Sequence, residues 1–87
     1  MNNILTAILF EIESAESKYP IWPECHIRRA AIVAEEAGEL IREANLLSEG
    51  KGNIENLKTE AIQTAATAIR FLKLLDNPEL KHLGAKL

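Results

Sequence analysis

Three stretches in which apolar residues recur at helical spacing are cut apart by Tyr19-Pro20-Ile21-Trp22-Pro23 and by Gly50-Lys51-Gly52, and this punctuation constrains the chain more than any other feature. In the first stretch Ile4, Leu5, Ile8, Leu9, Ile12 and Ala15 mark one face of an amphipathic helix over about residues 3 to 17, with Glu11, Glu13 and Glu16 largely on its wet side. Each proline then removes a backbone donor and biases its predecessor away from helix, so the next segment is a loop carrying two aromatics. Pro23 suits a first helical position, and Ile27, Ala30, Val33, Ala37, Leu40, Ile41, Ala44 and Leu47 form a second stripe over about residues 24 to 48. Asn53 is placed to cap a third helix, whose stripe of Ile54, Leu57, Ala61, Ile62, Ala65, Ala68, Ile69 and Leu72 ends near Leu75. Asn77-Pro78-Glu79 repeats a helix start and predicts a short fourth helix.

The expected architecture is therefore all-α: an antiparallel helical bundle of three long helices plus a short C-terminal helix. Residues 1–87 make one domain, since no linker or repeat divides them. A chain this short buries a modest share of its surface, so dimerisation is expected to complete the core.

Composition excludes several function classes. The net charge is −3 and the ten Lys and Arg residues are scattered, so no footprint for a nucleic acid polymer exists. Cys25 is the single cysteine, which rules out an intrachain disulfide, a Cys/His zinc site and a CxxC pair, and fits a reducing cytoplasm. The stretch Met1–Phe10 carries Asn2, Asn3 and Thr6 and no basic residue, unlike a signal peptide, and the apolar runs are too short for a membrane span.

The chemistry-bearing residues are acids. In Glu35-Glu36-Ala37-Gly38-Glu39 the helical repeat brings Glu36 and Glu39 onto one face, with Glu35 one turn before Glu39, and Glu39 repels Glu43 in turn. Arg42 is the only base within that stretch of helix, so a bound cation would resolve the conflict. Glu36 and Glu39 also border the apolar stripe between Val33 and Leu40, and partly buried carboxylates need partners. On the third helix Glu60, Gln63, Thr67 and Arg70 form a second polar file at steps of three and four residues. Oxygen donors from two helices suit a hard ion such as Mg2+, which completes its shell with water and phosphate. With His26 and His82 the only histidines, the Glu-x-x-His pairs of carboxylate di-iron bundles are missing.

Two segments carry a family resemblance: Trp22-Pro23 followed by Ile32-Val33-Ala34-Glu35-Glu36-Ala37-Gly38-Glu39-Leu40, then Glu60-Ala61-Ile62-Gln63-Thr64-Ala65-Ala66-Thr67-Ala68-Ile69-Arg70-Phe71. Over roughly residues 20 to 75 the chain resembles the MazG-like all-α nucleotide pyrophosphohydrolases, whose hallmark is Glu-Glu-x-x-Glu on one helix and Glu-x-x-Asp on the next. The resemblance implies hydrolysis of a nucleoside triphosphate at the α–β phosphoanhydride, giving a monophosphate and pyrophosphate. It assigns Glu36, Glu39, Glu60 and Gln63 to Mg2+, with Mn2+ as a substitute, and Glu35 to a further ion or to the attacking water. Trp22 and His26 are then candidates for base contacts, and Arg70 and Lys73 for phosphate contacts. It also implies a homodimer or a dimer of dimers.

The family's Asp falls at Gln63, which offers an oxygen without a charge and weakens the metal site. Three readings follow: an active pyrophosphohydrolase of canonical, deoxy or non-canonical triphosphates, a catalytically weak or silent module that binds nucleotide or protein, and a phosphoribosyl-ATP pyrophosphohydrolase. Plainer roles stand beside these. Glu35, Glu36, Glu39 and Glu60 could instead form a solvated helix face, Gln63 a polar surface residue, Arg70 and Lys73 solvated charges near a helix C-terminus, Trp22 a plug at the bundle end, and His26 a structural or surface residue.

Overall fold

The computed structural model describes residues 1–76, and the predicted fourth helix at Asn77 to Glu79 lies outside them. Among the described residues the chain is all-helical, with no strand. Helix α1 spans Asn2–Lys18, α2 spans His26–Ser48 and α3 spans Ile54–Leu75.

The helix ends follow from local chemistry. At the start of α3 the Asn53 side chain accepts a hydrogen bond from the Asn56 amide at 2.8 Å, the bond that stripe and spacing had anticipated. At the end of α2 the amides of Gly50, Lys51 and Gly52 return to the carbonyls of Leu46 and Leu47, and Gly50 takes a φ of 74°, which a side chain would resist. The start of α2 differs from expectation. The helix begins at His26 and not at residue 24, with Cys25 in extended conformation as its N-cap. The reason is a competing acceptor arrangement: the Pro23 carbonyl receives the Arg29 Nε–H, while the first helical amide bond, from Arg29, goes to Cys25.

Packing is centred on α3. Both α1 and α2 lie against it, and α1 and α2 do not pack on one another. Lys73 reaches Glu16 and Arg70 reaches the Tyr19 carbonyl, so α1 and α3 run the same way; Glu60 meets Glu36 and Glu39 while Arg70 meets Trp22, so α2 runs against α3. The result is an up-down-up arrangement, open between its outer helices. Its radius of gyration is 14.8 Å, against about 12 Å for a compact chain of this length.

An open arrangement buries little. Among the described residues Ile12 on α1 and Ala66 on α3 are the only hydrophobic ones below a tenth exposed, at 7% and 1%. Leu9 and Phe10 on α1 and Leu72 on α3 remain more than half exposed. Small side chains along α3, from Ala65 to Ala68, are what let two helices share it. No helix in the described residues is long and apolar enough to cross a membrane.

Candidate functional site

The gap between α1 and α2 is a cleft of about 540 Å³ with α3 as its floor. Its walls follow helical repeats: Glu11, Ser14, Ala15 and Lys18 on α1, Gln63, Thr67 and Arg70 on α3, and Ile32 and Glu36 on α2, with Trp22 closing one end. The opposite end is acidic.

Beside it Glu36 and Glu39 from α2 and Glu60 from α3 bring one carboxylate oxygen each within 4.8 Å of one another, and of the three Glu36 lines the cleft itself. Three and four residues separate neighbours on a helix turn, so Glu36 and Glu39 project together, and the α2–α3 antiparallel packing adds Glu60. The oxygens are short of donors: Oε2 of Glu36, Glu43 and Glu60 is enclosed and has no hydrogen-bond partner among the described residues. Burial raises the Glu36 pKa above the ordinary carboxylate value, and the charges of Glu39, Glu11 and Glu35 push it the same way. Burial likewise raises Glu60, assisted by the charges of Glu39 and Glu36, by a hydrogen bond shared with Glu39, and by Glu43.

The donor set is oxygen only, negatively charged and under-satisfied, which fits a hard divalent cation such as Mg2+. Gln63 lines the same cleft as Glu36, one turn after Glu60 on α3, and carries an amide oxygen that has no charge.

These raised pKa values have a consequence for stability. Both acids bind protons more readily in the folded than in the unfolded chain, so their contribution favours folding at low pH and is lost as pH rises through the raised values. With chelator present, the thermal midpoint of the wild type is expected to climb, relative to Glu60→Gln, as pH falls from about 7 to about 5. Parallel pH profiles for the two proteins in differential scanning calorimetry would remove Glu60 as a source of strain.

The remaining expected site residues are divided. Glu35 is exposed and stands outside the three-carboxylate cluster, though close enough to act on Glu36. Trp22 lines the cleft, and Arg70 lies over its ring, 5.0 Å from the centroid. Arg70 is 8% exposed and donates to the Tyr19 carbonyl at 2.7 Å, tying the loop to α3. Lys73 belongs elsewhere: it pairs with Glu16 at 2.6 Å over a second hollow, on the far side of Trp22, and does not line the main cleft. His26 lines neither hollow; its Nδ1 accepts from Arg29 at 3.1 Å and leaves an enclosed Nε2–H without a partner.

Two charged residues of the cleft, and one acid beside the carboxylate cluster, were not expected. Glu11, read as solvent-facing, is half-buried and faces Glu36 across the gap. Lys18 lines the cleft at its Trp22 end. Glu43 joins the group of unpartnered acids. The repulsion between Glu39 and Glu43 was the one signal that pointed to any of them. Compared with known proteins, the chain matches no protein-family model, no curated protein and no solved structure.

Proposed function

We propose that this chain is a Mg2+-dependent nucleoside triphosphate pyrophosphohydrolase, converting a triphosphate into a monophosphate and pyrophosphate. The observation that carries this reading is the convergence of Glu36, Glu39 and Glu60 within 4.8 Å, with Glu36 joining that cluster to a cleft that Lys18 and Arg70 line further along. A volume of about 540 Å³ lies in the range of small-ligand sites. The resemblance of the Glu35–Glu39 and Glu60–Gln63 segments to the MazG-like pyrophosphohydrolases supports the same chemistry.

On this reading Glu36, Glu39, Glu60 and the Gln63 amide oxygen hold Mg2+, or Mn2+ in its place, and the ion supplies charge neutralisation and a more acidic bound water. Water adds to the α-phosphorus, the bond from that phosphorus to the α–β bridging oxygen breaks, and pyrophosphate leaves. The carboxylates orient the attacking water and accept its proton, with Glu35 at the solvent edge of the group. The lone, unpaired Cys25 suits operation in a reducing compartment such as the cytoplasm.

The test is a panel of canonical, deoxy and modified nucleoside triphosphates together with phosphoribosyl-ATP, with Mg2+ and with chelator, scored for monophosphate and pyrophosphate. A second reading rests on Gln63: a silent nucleotide-binding module would give a thermal shift with nucleotide regardless of Mg2+ and release no pyrophosphate.

A homodimer or dimer of dimers belongs to the same proposal, supported by the 62% and 67% exposure of Leu9 and Phe10 on a fold with so small a core. Phe10→Glu is expected to shift the sedimentation profile of the protein toward monomer. An unchanged profile would take α1 out of the subunit contact.

A further inference from the structure

Two guanidinium groups are nearly enclosed, Arg29 at 4% and Arg70 at 8% exposure. Arg29 donates to Pro23 and His26 and stands outside the cleft. Arg70 lines it, and its position is different in kind. One Nη bonds to the Tyr19 carbonyl, the enclosed Nε has no partner, and no carboxylate among the described residues pairs with the charge. A cation removed from water without a counterion is costly; Arg70 borders both hollows, and since Glu16 in the second is engaged by Lys73, the main cleft, which Lys18 also lines, is the side that offers room for an anion. Lys18 lines the same end from α1 and has no ion pair among the described residues.

The spacing makes the two ends a matched set. Glu11 to Lys18 on α1 and Gln63 to Arg70 on α3 are both seven residues, or about 10 Å of helix, and the two helices run the same way. A ligand whose one phosphate sits at the carboxylates can therefore extend further anionic oxygens toward Lys18 and Arg70. The Trp22 ring, one face of which carries the guanidinium, seats that cation instead of offering this end to a neutral base.

We infer that the Lys18–Arg70 end of the cleft is an anion subsite that takes the terminal phosphate of a triphosphate, and that Lys18 is a specificity-determining residue for triphosphates over diphosphates. This rests on the reading of the carboxylate end as the site of the scissile phosphate. Lys18 is exposed, so replacing it leaves the fold intact, which Arg70 does not guarantee.

The experiment is calorimetric titration of the full chain with inorganic triphosphate, with Mg2+ and again with chelator, for wild type, Lys18→Gln and Lys51→Gln, the last a lysine distant in sequence that does not line the cleft. Loss of one charge-assisted contact is expected to raise the dissociation constant of Lys18→Gln about tenfold under both conditions, with Lys51→Gln like wild type. In steady-state assays Lys18→Gln is expected to raise KM for triphosphates while leaving kcat near wild type. Equal affinity of Lys18→Gln and wild type overturns the subsite even if Mg2+ strengthens binding. Weakening by Lys18→Gln with no influence of Mg2+ on any protein supports the subsite while removing the metal reading.

Discussion

Glu36→Ala and Glu39→Ala, made separately, are expected to lower Mg2+-dependent pyrophosphate release by on the order of a thousand-fold, the scale of losing one group that stabilises charge in a phosphoryl transition state. Each removes one of the three carboxylates whose oxygens converge within 4.8 Å. Glu13→Ala is the matching control, since Glu13 is exposed on α1 and does not line the cleft. The substitutions also carry a signature that a damaged fold would not give. Each takes one like charge away from an under-satisfied group, so both variants should melt at or above the wild-type temperature in chelator while losing the stabilisation that Mg2+ confers. Retained activity in either variant would place the chemistry elsewhere.

Ala66→Asp is expected to unfold the chain. Ala66 is 1% exposed on the central helix, and among the described residues Ile12 is the only other buried hydrophobic. A carboxylate there must be desolvated or protonated and must fit where an alanine methyl fills the space, and Arg70, one turn on along α3, offsets only part of that; the cost is several kcal/mol. Domains of this size hold only about 3–5 kcal/mol in their cores, so the loss is comparable with the whole. Circular dichroism should report the collapse of helical signal, whereas Ala61→Asp, at an exposed position one turn earlier on the same helix, should remain helical. A cooperative melt for Ala66→Asp within a few degrees of wild type would mean that α3 is not the shared support of α1 and α2.

Helix positions were legible because period, proline, glycine and cap each act locally: the stripes, the Asn53 cap and the Gly50 turn all reappear in the fold. The two-residue error at the start of α2 has the opposite origin. Pro23 satisfies every local rule for a first helical residue, and what excludes it is a side chain six positions on, Arg29, bonding its carbonyl. The acids of α2 and α3 could be paired from spacing because antiparallel neighbours meet in predictable order. Glu11 and Lys18 could not, since nothing in one helix states which neighbour it will lean on. Lys73 fails as a cleft residue for the same reason: Glu16 of α1 captures it over the second hollow.

The loop between α1 and α2 is held by guanidinium groups at both of its ends, Arg70 on the Tyr19 carbonyl and Arg29 on the Pro23 carbonyl. Arginine keeps its proton at every pH a protein survives, and a peptide carbonyl does not titrate. The carboxylates of Glu36 and Glu60 do titrate, and burial raises both above the ordinary carboxylate value. Acidification therefore acts on the carboxylates while the two arginine–carbonyl contacts keep their grip, so a protein carried through mild acid should return to its starting fold on neutralisation without having to rebuild this loop.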